Sequence, residues 1–368
     1  MLKSVASSFA VSRAYIFLAA AAGYHFLPAV ERGKSVPLDG WAPWFASYWY
    51  RWDANWYMSV IREGYEWADG MQSNVAFFPL YPMLVRASGW LLGGSYLLAG
   101  LLLSLSCLFA AMVYLYRLAE MDHGAATAGR AVWFIAIFPT AFFFNSFYTE
   151  SLFLLASIGA FYHARKDDWA LAGLWGLVAA LTRVTGLLLV IPLAWEYLSQ
   201  RSFSPARVRP GVLWLGLIPC GTLAYSVYLQ REFDRPLAFI ETQIDAWSHK
   251  FTPFFGSLRH DIDIFFTRTH EAWVVYDILT IIFMLVMLVV GFRYLRGSYS
   301  LYVIISLLFV LVGGSVRSMS RYTLMVFPVF ILLGLLTAGR PARWALSAVS
   351  LGLLGVSTAV FVSGRWIA

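Results

Sequence analysis

Apolar runs follow one another along this chain, broken at short intervals by basic clusters and by longer loops rich in aromatic residues and acids. The runs predict about eleven spans. They lie near 13–30, 95–116, 130–146, 149–164, 169–183, 185–198, 211–229, 273–292, 300–315, 322–338 and 344–362. Several fall short of the ~20 residues that cross a bilayer comfortably. The close pairs 130–146/149–164 and 169–183/185–198 predict helical hairpins whose tips stop within the membrane, sheltered by protein. Two polar stretches, about 31–94 and about 230–272, are expected as outer loops carrying interfacial helices. No linker, low-complexity stretch or internal repeat divides residues 1–368, so one all-α polytopic membrane domain is expected.

The basic residues set an orientation. With the N-terminus inside, the cytoplasmic connections hold Arg117 and Arg130, then Arg165 and Lys166, then Arg201, Arg207 and Arg209, then Arg293 and Arg296, then Arg340 and Arg343. Asp53, Glu150 and the acids from Glu232 to Glu271 fall on the other side, the asymmetry of the positive-inside rule.

Composition agrees: 60% of the residues are hydrophobic and 13% charged, against roughly 25% charged in soluble domains. The formal net charge of +7 is scattered singly and in pairs between apolar runs, which reads as topology and not as a nucleic-acid surface. Cys107 and Cys220 both sit in apolar stretches and indicate neither a disulfide framework nor a metal knuckle. Lys3 and Arg13 precede the apolar run Ala14–Val30, a pattern open to a cleaved signal peptide, but without a convincing cleavage site a retained first span is expected.

The most informative segment is Trp49–Pro82. Trp49, Trp52 and Trp56 recur at helical spacing, with Asp53 and Tyr57 one turn apart, which predicts a short helix in the membrane interface. A carboxylate on such a face is costly unless water, a partner or a substrate compensates it. A functional acid is the leading reading; a snorkelling acid is the plain one.

Three further tips carry polar groups that spans do not need. In Asn145–Ser151, Thr149 is placed to cap the next helix and Glu150 to sit at its N-terminus. In Thr182–Gly186, Arg183 stands between apolar residues, suited to a phosphate or carboxylate, with Glu150 as its structural partner. Arg317 and Arg321 precede the run ending FPVFILLGLL, two cations on the outer side that call for an anion: lipid headgroups or one specific lipid phosphate. In the second loop, His249 and Lys250 are open as ligands, acids or phosphate contacts. His249 has no second histidine at ligand spacing, so no metal or other cofactor is indicated, and Walker A, GxGxxG and HExxH patterns are absent.

RWDANWYMSVIREGY followed by AFFPLYPMLVR resembles the first luminal loop of the PIG-V-type mannosyltransferases, which belong to the GT-C glycosyltransferases and include GPI mannosyltransferase 2. FPTAFFFNSFYTESLFLLASIGAFYHAR is similar to that family's hairpin, ALTRVTGLLLVIPL to its TR-x-x-G segment and SRYTLMVFPVFILLG to its late span, in the family's order. The chain is short for a eukaryotic member and Gln243–Phe255 matches loosely, which points to a prokaryotic relative with an acceptor other than the GPI glycolipid.

The resemblance implies a GT-C-like bundle in the cytoplasmic membrane of a prokaryote (the ER membrane if eukaryotic). It implies inverting transfer of mannose from a polyprenyl- or dolichyl-phosphate donor to a hydroxyl of a glycolipid, glycan or protein on the non-cytoplasmic face. Asp53 falls on the family's acidic position, the expected base. Arg183 and Arg321, with Arg317, are expected at the donor phosphate. Trp52, Trp56, Tyr57 and Tyr148 are expected against the sugar and Glu150, Gln243, Trp247 and His249 near sugar or acceptor. Rival readings are a GT-C enzyme with another lipid-linked sugar, a lipid or solute transporter, and a non-catalytic membrane partner. A transporter would place its charges near the midplane, often in repeated halves, and this chain gathers them at one face.

Overall fold

The computed structural model describes residues 1–28, 44–246, 256–264, 266, 272–313 and 316–367, and every regular element among them is helical. The first helix, α1 (Leu2–Phe26), leads into an outer loop with a 3-10 turn (Trp44–Trp49) and two short helices, α2 (Ala54–Arg62) and α3 (Leu80–Leu91). Next comes α4 (Tyr96–Ala136), bent at Gly124, where φ is 77° and ψ 166°. Glycine takes such a backbone without a Cβ penalty, so one long run becomes two helices meeting at a kink. Three helices then alternate in direction: α5 (Glu150–Arg165), α6 (Trp169–Thr182) and α7 (Val190–Gln200). The span α8 (Leu217–Phe233) precedes the second outer loop, which carries α9 (Ala238–Asp245) and α10 (Gly256–Ile264). The last five are α11 (Ala272–Tyr294), α12 (Gly297–Val312), the short α13 (Met319–Thr323), α14 (Pro328–Leu336) and α15 (Arg340–Val362).

Among the described residues, five helices are long and apolar enough to cross a membrane alone: Leu2–Phe26, Tyr96–Ala136, Pro210–Phe233, Trp273–Tyr294 and Arg340–Val362. Three shorter apolar helices join them: Trp169–Thr182, Val184–Gln200 and Gly297–Val312. An all-helical membrane bundle is therefore present, and among the described residues these eight helices do not by themselves establish the expected count of about eleven. The expected run 130–146 ends as α-helix at Ala136 and continues as a 3-10 turn, Ala141–Asn145. The run 322–338 is broken between α13 and α14, where Pro328 takes the first position of the second helix and has no N–H to miss.

One buried core runs from Val5 on α1 to Val362 on α15, and a satellite of Val75, Phe78, Tyr225, Leu229, Ala238 and Phe239 lies under the outer loops. Apolar side chains on the outside, such as Leu18, Val289 and Val356, face where lipid would lie.

The bundle has two chemically different ends. α5 starts at Glu150 and finishes at Arg165 after 16 residues, a rise of about 24 Å. Around Arg165 lie Asp122, which it ion-pairs, and Glu196, which pairs with Arg296 at 2.9 Å. The Tyr299 hydroxyl also donates to Asp122, at 2.8 Å. Because α6 returns antiparallel to α5, the residue after its C-terminus, Arg183, arrives back at the Glu150 end. Gly186 makes that return close-packed: a Cβ there would lie 2.3 Å from the Ala179 carbonyl carbon.

Candidate active site

The tip before α5 is assembled by hydrogen bonds to the first outer loop. Phe147 N–H donates to the Trp49 carbonyl at 3.1 Å, and the Tyr148 hydroxyl to the Arg51 carbonyl at 2.9 Å. The predicted continuous helix through Trp49, Trp52 and Trp56 is not formed. Trp49 belongs to the 3-10 turn, Trp52 has a φ of 41°, and α2 begins only after Asp53. The break frees Asp53 from its own helix: it stands at the N-cap position without a capping bond and turns its carboxylate toward α13.

There it meets Arg321, whose Nη1 donates to Asp53 Oδ2 at 2.7 Å. Arg321 Nε lies 3.0 Å from Glu150 Oε1, an ion pair without the geometry of a hydrogen bond. Arg183 Nη1 approaches the same oxygen at 3.0 Å and donates to Thr149 Oγ1 at 2.9 Å. The result is an alternating chain of charges, Asp53–Arg321–Glu150–Arg183. Glu150 is fully buried, Arg321 nearly so, and Asp53 is 19% exposed at the open end. Two carboxylates, Asp53 and Glu150, flank the Arg321 guanidinium and compensate its buried charge.

Thr149 occupies the N-cap position of α5 but makes no capping bond. Its hydroxyl serves Arg183 and lies 3.3 Å from the Tyr57 hydroxyl instead. The Arg183–Glu150 pair, read from sequence as the structural option for Arg183, is present.

The remaining predicted residues divide. Tyr57 and Tyr148 are buried, and Tyr148 lies beneath the Arg321 guanidinium, 5.0 Å from ring centre to Cζ. Both rings shape the site and offer no open face. Trp52 and Trp56 are half-buried, Trp56 stacked on Phe77 and Trp52 packed edge-on to Trp366 at 5.1 Å. Arg317 is turned away from the charge chain, its guanidinium 4.6 Å from the Trp366 ring centre and 5.3 Å from that of Trp273. Gln243 is half-buried on α9, a helix docked on the first loop through Thr242, whose hydroxyl accepts from Ser73 N–H at 3.2 Å. Trp247 and His249 lie outside the described residues.

Sequence reading missed Asp277. Both of its oxygens accept backbone N–H groups at 3.0 Å, from Ser318 and Ser320, in the turn that delivers Arg321. The available signal was a lone carboxylate inside the apolar run 273–292. Among the described residues no cluster of three or more His, Cys, Asp or Glu side chains is placed to hold a metal ion.

The first outer loop, the α5 tip and the Arg183 turn, three of the four segments that form this site, fall within one matched stretch. Residues 39–207 match the family model for mannosyltransferase (PIG-V). The PIG-V resemblance drawn from the motifs is thus borne out over that stretch. Among curated proteins none matches the chain. The fold is similar to that of ArnT from Cupriavidus metallidurans, crystallised bound to undecaprenyl phosphate, with a TM-score of 0.58 and 16% identity over 94% of this chain. It is similar also to the apo Archaeoglobus fulgidus oligosaccharyltransferase, with a TM-score of 0.51 and 13% identity over 99% of this chain. Both are GT-C glycosyltransferases, and the all-helical bundle expected from the motifs is similar to theirs in fold. The chain spans 62% of the ArnT chain and 56% of the oligosaccharyltransferase chain.

Proposed function

We propose that this chain is an inverting membrane mannosyltransferase. In this reading it takes mannose from a polyprenyl-phosphate donor and transfers it to a hydroxyl acceptor on the non-cytoplasmic face. The observation that carries the reading is the 2.7 Å contact between Asp53, at the open end of the charge chain, and Arg321, backed by Glu150 and Arg183. A carboxylate suited to a proton and cations suited to a phosphate stand side by side.

A polyprenyl phosphate is a good leaving group and needs no acid at its departing oxygen. Asp53 takes the proton of the acceptor hydroxyl as that oxygen bonds the anomeric carbon from the face opposite the phosphate. The carbon–oxygen bond to phosphate breaks, and polyprenyl phosphate leaves with the electron pair. Arg321 and Arg183 stabilise the charge that grows on the phosphate oxygens. Where the donor phosphate takes the Nη1 N–H that Asp53 accepts, one anion exchanges for the other and the base is released. Glu150 stays behind Arg321 during the exchange and keeps the guanidinium from swinging free.

Other features support a lipid-linked donor. The similarly folded ArnT is bound to undecaprenyl phosphate. Beside Tyr322, whose ring lies 5.3 Å from the Arg183 guanidinium, an apolar cavity is lined by Phe153, Leu188, Tyr302, Phe309 and Met325. Half-buried Trp52 and Trp56 are the aromatic groups left for the sugar. The non-cytoplasmic face follows from the basic residues that gather at the Arg165 and Arg340 end of the bundle.

The test is mannose transfer by purified protein from a short-chain polyprenyl-phosphate mannose to a lipid extract of the host membrane, read by mass spectrometry. A polyprenyl-phosphate glucose donor runs in parallel. Transfer from the mannosyl donor alone is expected. Transfer from another sugar donor alone, or from none, overturns the assignment.

A further inference from the structure

Arg321 reaches the site from α13, a helix of only five residues that has little rigidity of its own. The turn before it is unusual, because Ser318 has a φ of 71°, a left-handed conformation that non-glycine residues seldom adopt without outside support. The Ser318 carbonyl starts the helix, accepting from the N–H groups of Arg321 and Tyr322, each at 3.0 Å. Whatever fixes Ser318 therefore sets where the Arg321 side chain begins.

Asp277 is the group that fixes it. The carboxylate sits on α11 and is fully buried in a helix built mostly of apolar residues. A buried carboxylate is costly unless both its oxygens are satisfied. Here Oδ2 accepts from Ser318 N–H and Oδ1 from Ser320 N–H, so the two oxygens bracket the strained residue. One turn earlier on α11, Trp273 packs under the Arg317 guanidinium. From the opposite side, the Thr140 hydroxyl donates to the Ser320 carbonyl at 2.9 Å. The turn is clamped between α11 and the segment leading to the α5 tip, and the residue it presents is Arg321.

We propose that Asp277 is a positioning residue for the donor phosphate. It touches no substrate; it holds the Ser318–Ser320 backbone so that Arg321 meets an anion in the correct geometry. The proposal rests on the reading of Arg321 as a phosphate ligand, and the experiment separates the two. An asparagine at 277 offers one acceptor oxygen where the carboxylate offers two, so one backbone N–H loses its partner while side-chain volume is kept.

The measurement is binding of a short-chain polyprenyl phosphate to the full chain in nanodiscs, by calorimetry, for wild type, Asp277→Asn, Arg321→Ala and the double variant, with thermal unfolding followed in parallel. Arg321→Ala should weaken binding about 10-fold, as losing a charge-assisted hydrogen bond does. Asp277→Asn should weaken it by a similar factor, and the double variant no further, because both changes remove the same interaction. If Arg321→Ala binds normally, the reading of Arg321 is lost and the proposal with it. If Arg321→Ala is impaired while Asp277→Asn binds normally, or if the two losses multiply, Asp277 is not a positioning residue for that arginine. Should Asp277→Asn not fold, the smaller Asp277→Ser goes through the same cycle. Failure of both to fold makes Asp277 a residue of stability alone and overturns the proposal.

Discussion

Arg321 and Asp53 are 268 residues apart in sequence and 2.7 Å apart in space, with Glu150 on the other side of the same guanidinium. The contact joins the group expected to take a proton to the group expected to take a phosphate. Each therefore reports on the other when one is changed.

Asp53→Asn keeps the shape of the side chain and an acceptor oxygen for Arg321 but removes the base. Mannose transfer should fall by at least the ~10²-fold typical of losing a general base. Polyprenyl phosphate should bind at least as tightly as to wild type, because Arg321 is no longer held by a carboxylate. Single-turnover transfer and calorimetry check the two halves, and wild-type turnover would remove Asp53 from the chemistry.

For Arg321, the charge and the fork can be separated. Arg321→Lys should retain part of the transfer rate, since the cation survives while the paired geometry is lost. Arg321→Ala should lose most of it. Equal single-turnover rates in wild type and both variants would leave Arg183 as the phosphate ligand.

Glu150 is different, because it is buried and carries two guanidinium groups on one oxygen. Glu150→Gln leaves two cations without their shared counter-charge, and breaking a buried pair in this way costs about 3–5 kcal/mol. The midpoint of thermal unfolding in detergent should drop clearly. An unchanged midpoint would show that water or lipid replaces the carboxylate.

Orientation can be read with impermeant thiol reagents in a Cys220→Ser background, since Cys220 is exposed and Cys107 is buried. Asp69→Cys on the first outer loop should be labelled from outside and Lys166→Cys at the turn after α5 should not. Reversed labelling would move the site to the cytoplasmic face.

Much of this arrangement could be read from the chain because the signals were local. The Asn145–Ser151 tip, the Thr182–Gly186 turn and the apolar runs around them place Glu150 and Arg183 at one end without any structure. The joining of Asp53 to Arg321 could not be read, since nothing in either neighbourhood names a partner so far along the chain. Helical spacing of Trp49, Trp52 and Trp56 misled, because docking on Phe147 and Tyr148 holds the backbone in a break where periodicity predicts a turn of helix. Arg317 looked equivalent to Arg321 by adjacency, yet the left-handed Ser318 between them sends the two side chains in different directions. Asp277 was hidden by the hydropathy of its own span.

The brevity of α5 sets a limit on what the site can serve. A helix rising about 24 Å is shorter than a hydrocarbon core of about 30 Å. With its Arg165 end at one boundary, Glu150 and the charges it organises lie about 6 Å below the other. On the proposed function this puts the reaction in a recess beneath the headgroups, into which a donor phosphate must descend and where a folded protein surface does not fit. On the proposed reading, the acceptor at that depth is slender, such as the end of a glycan or of a lipid-borne sugar.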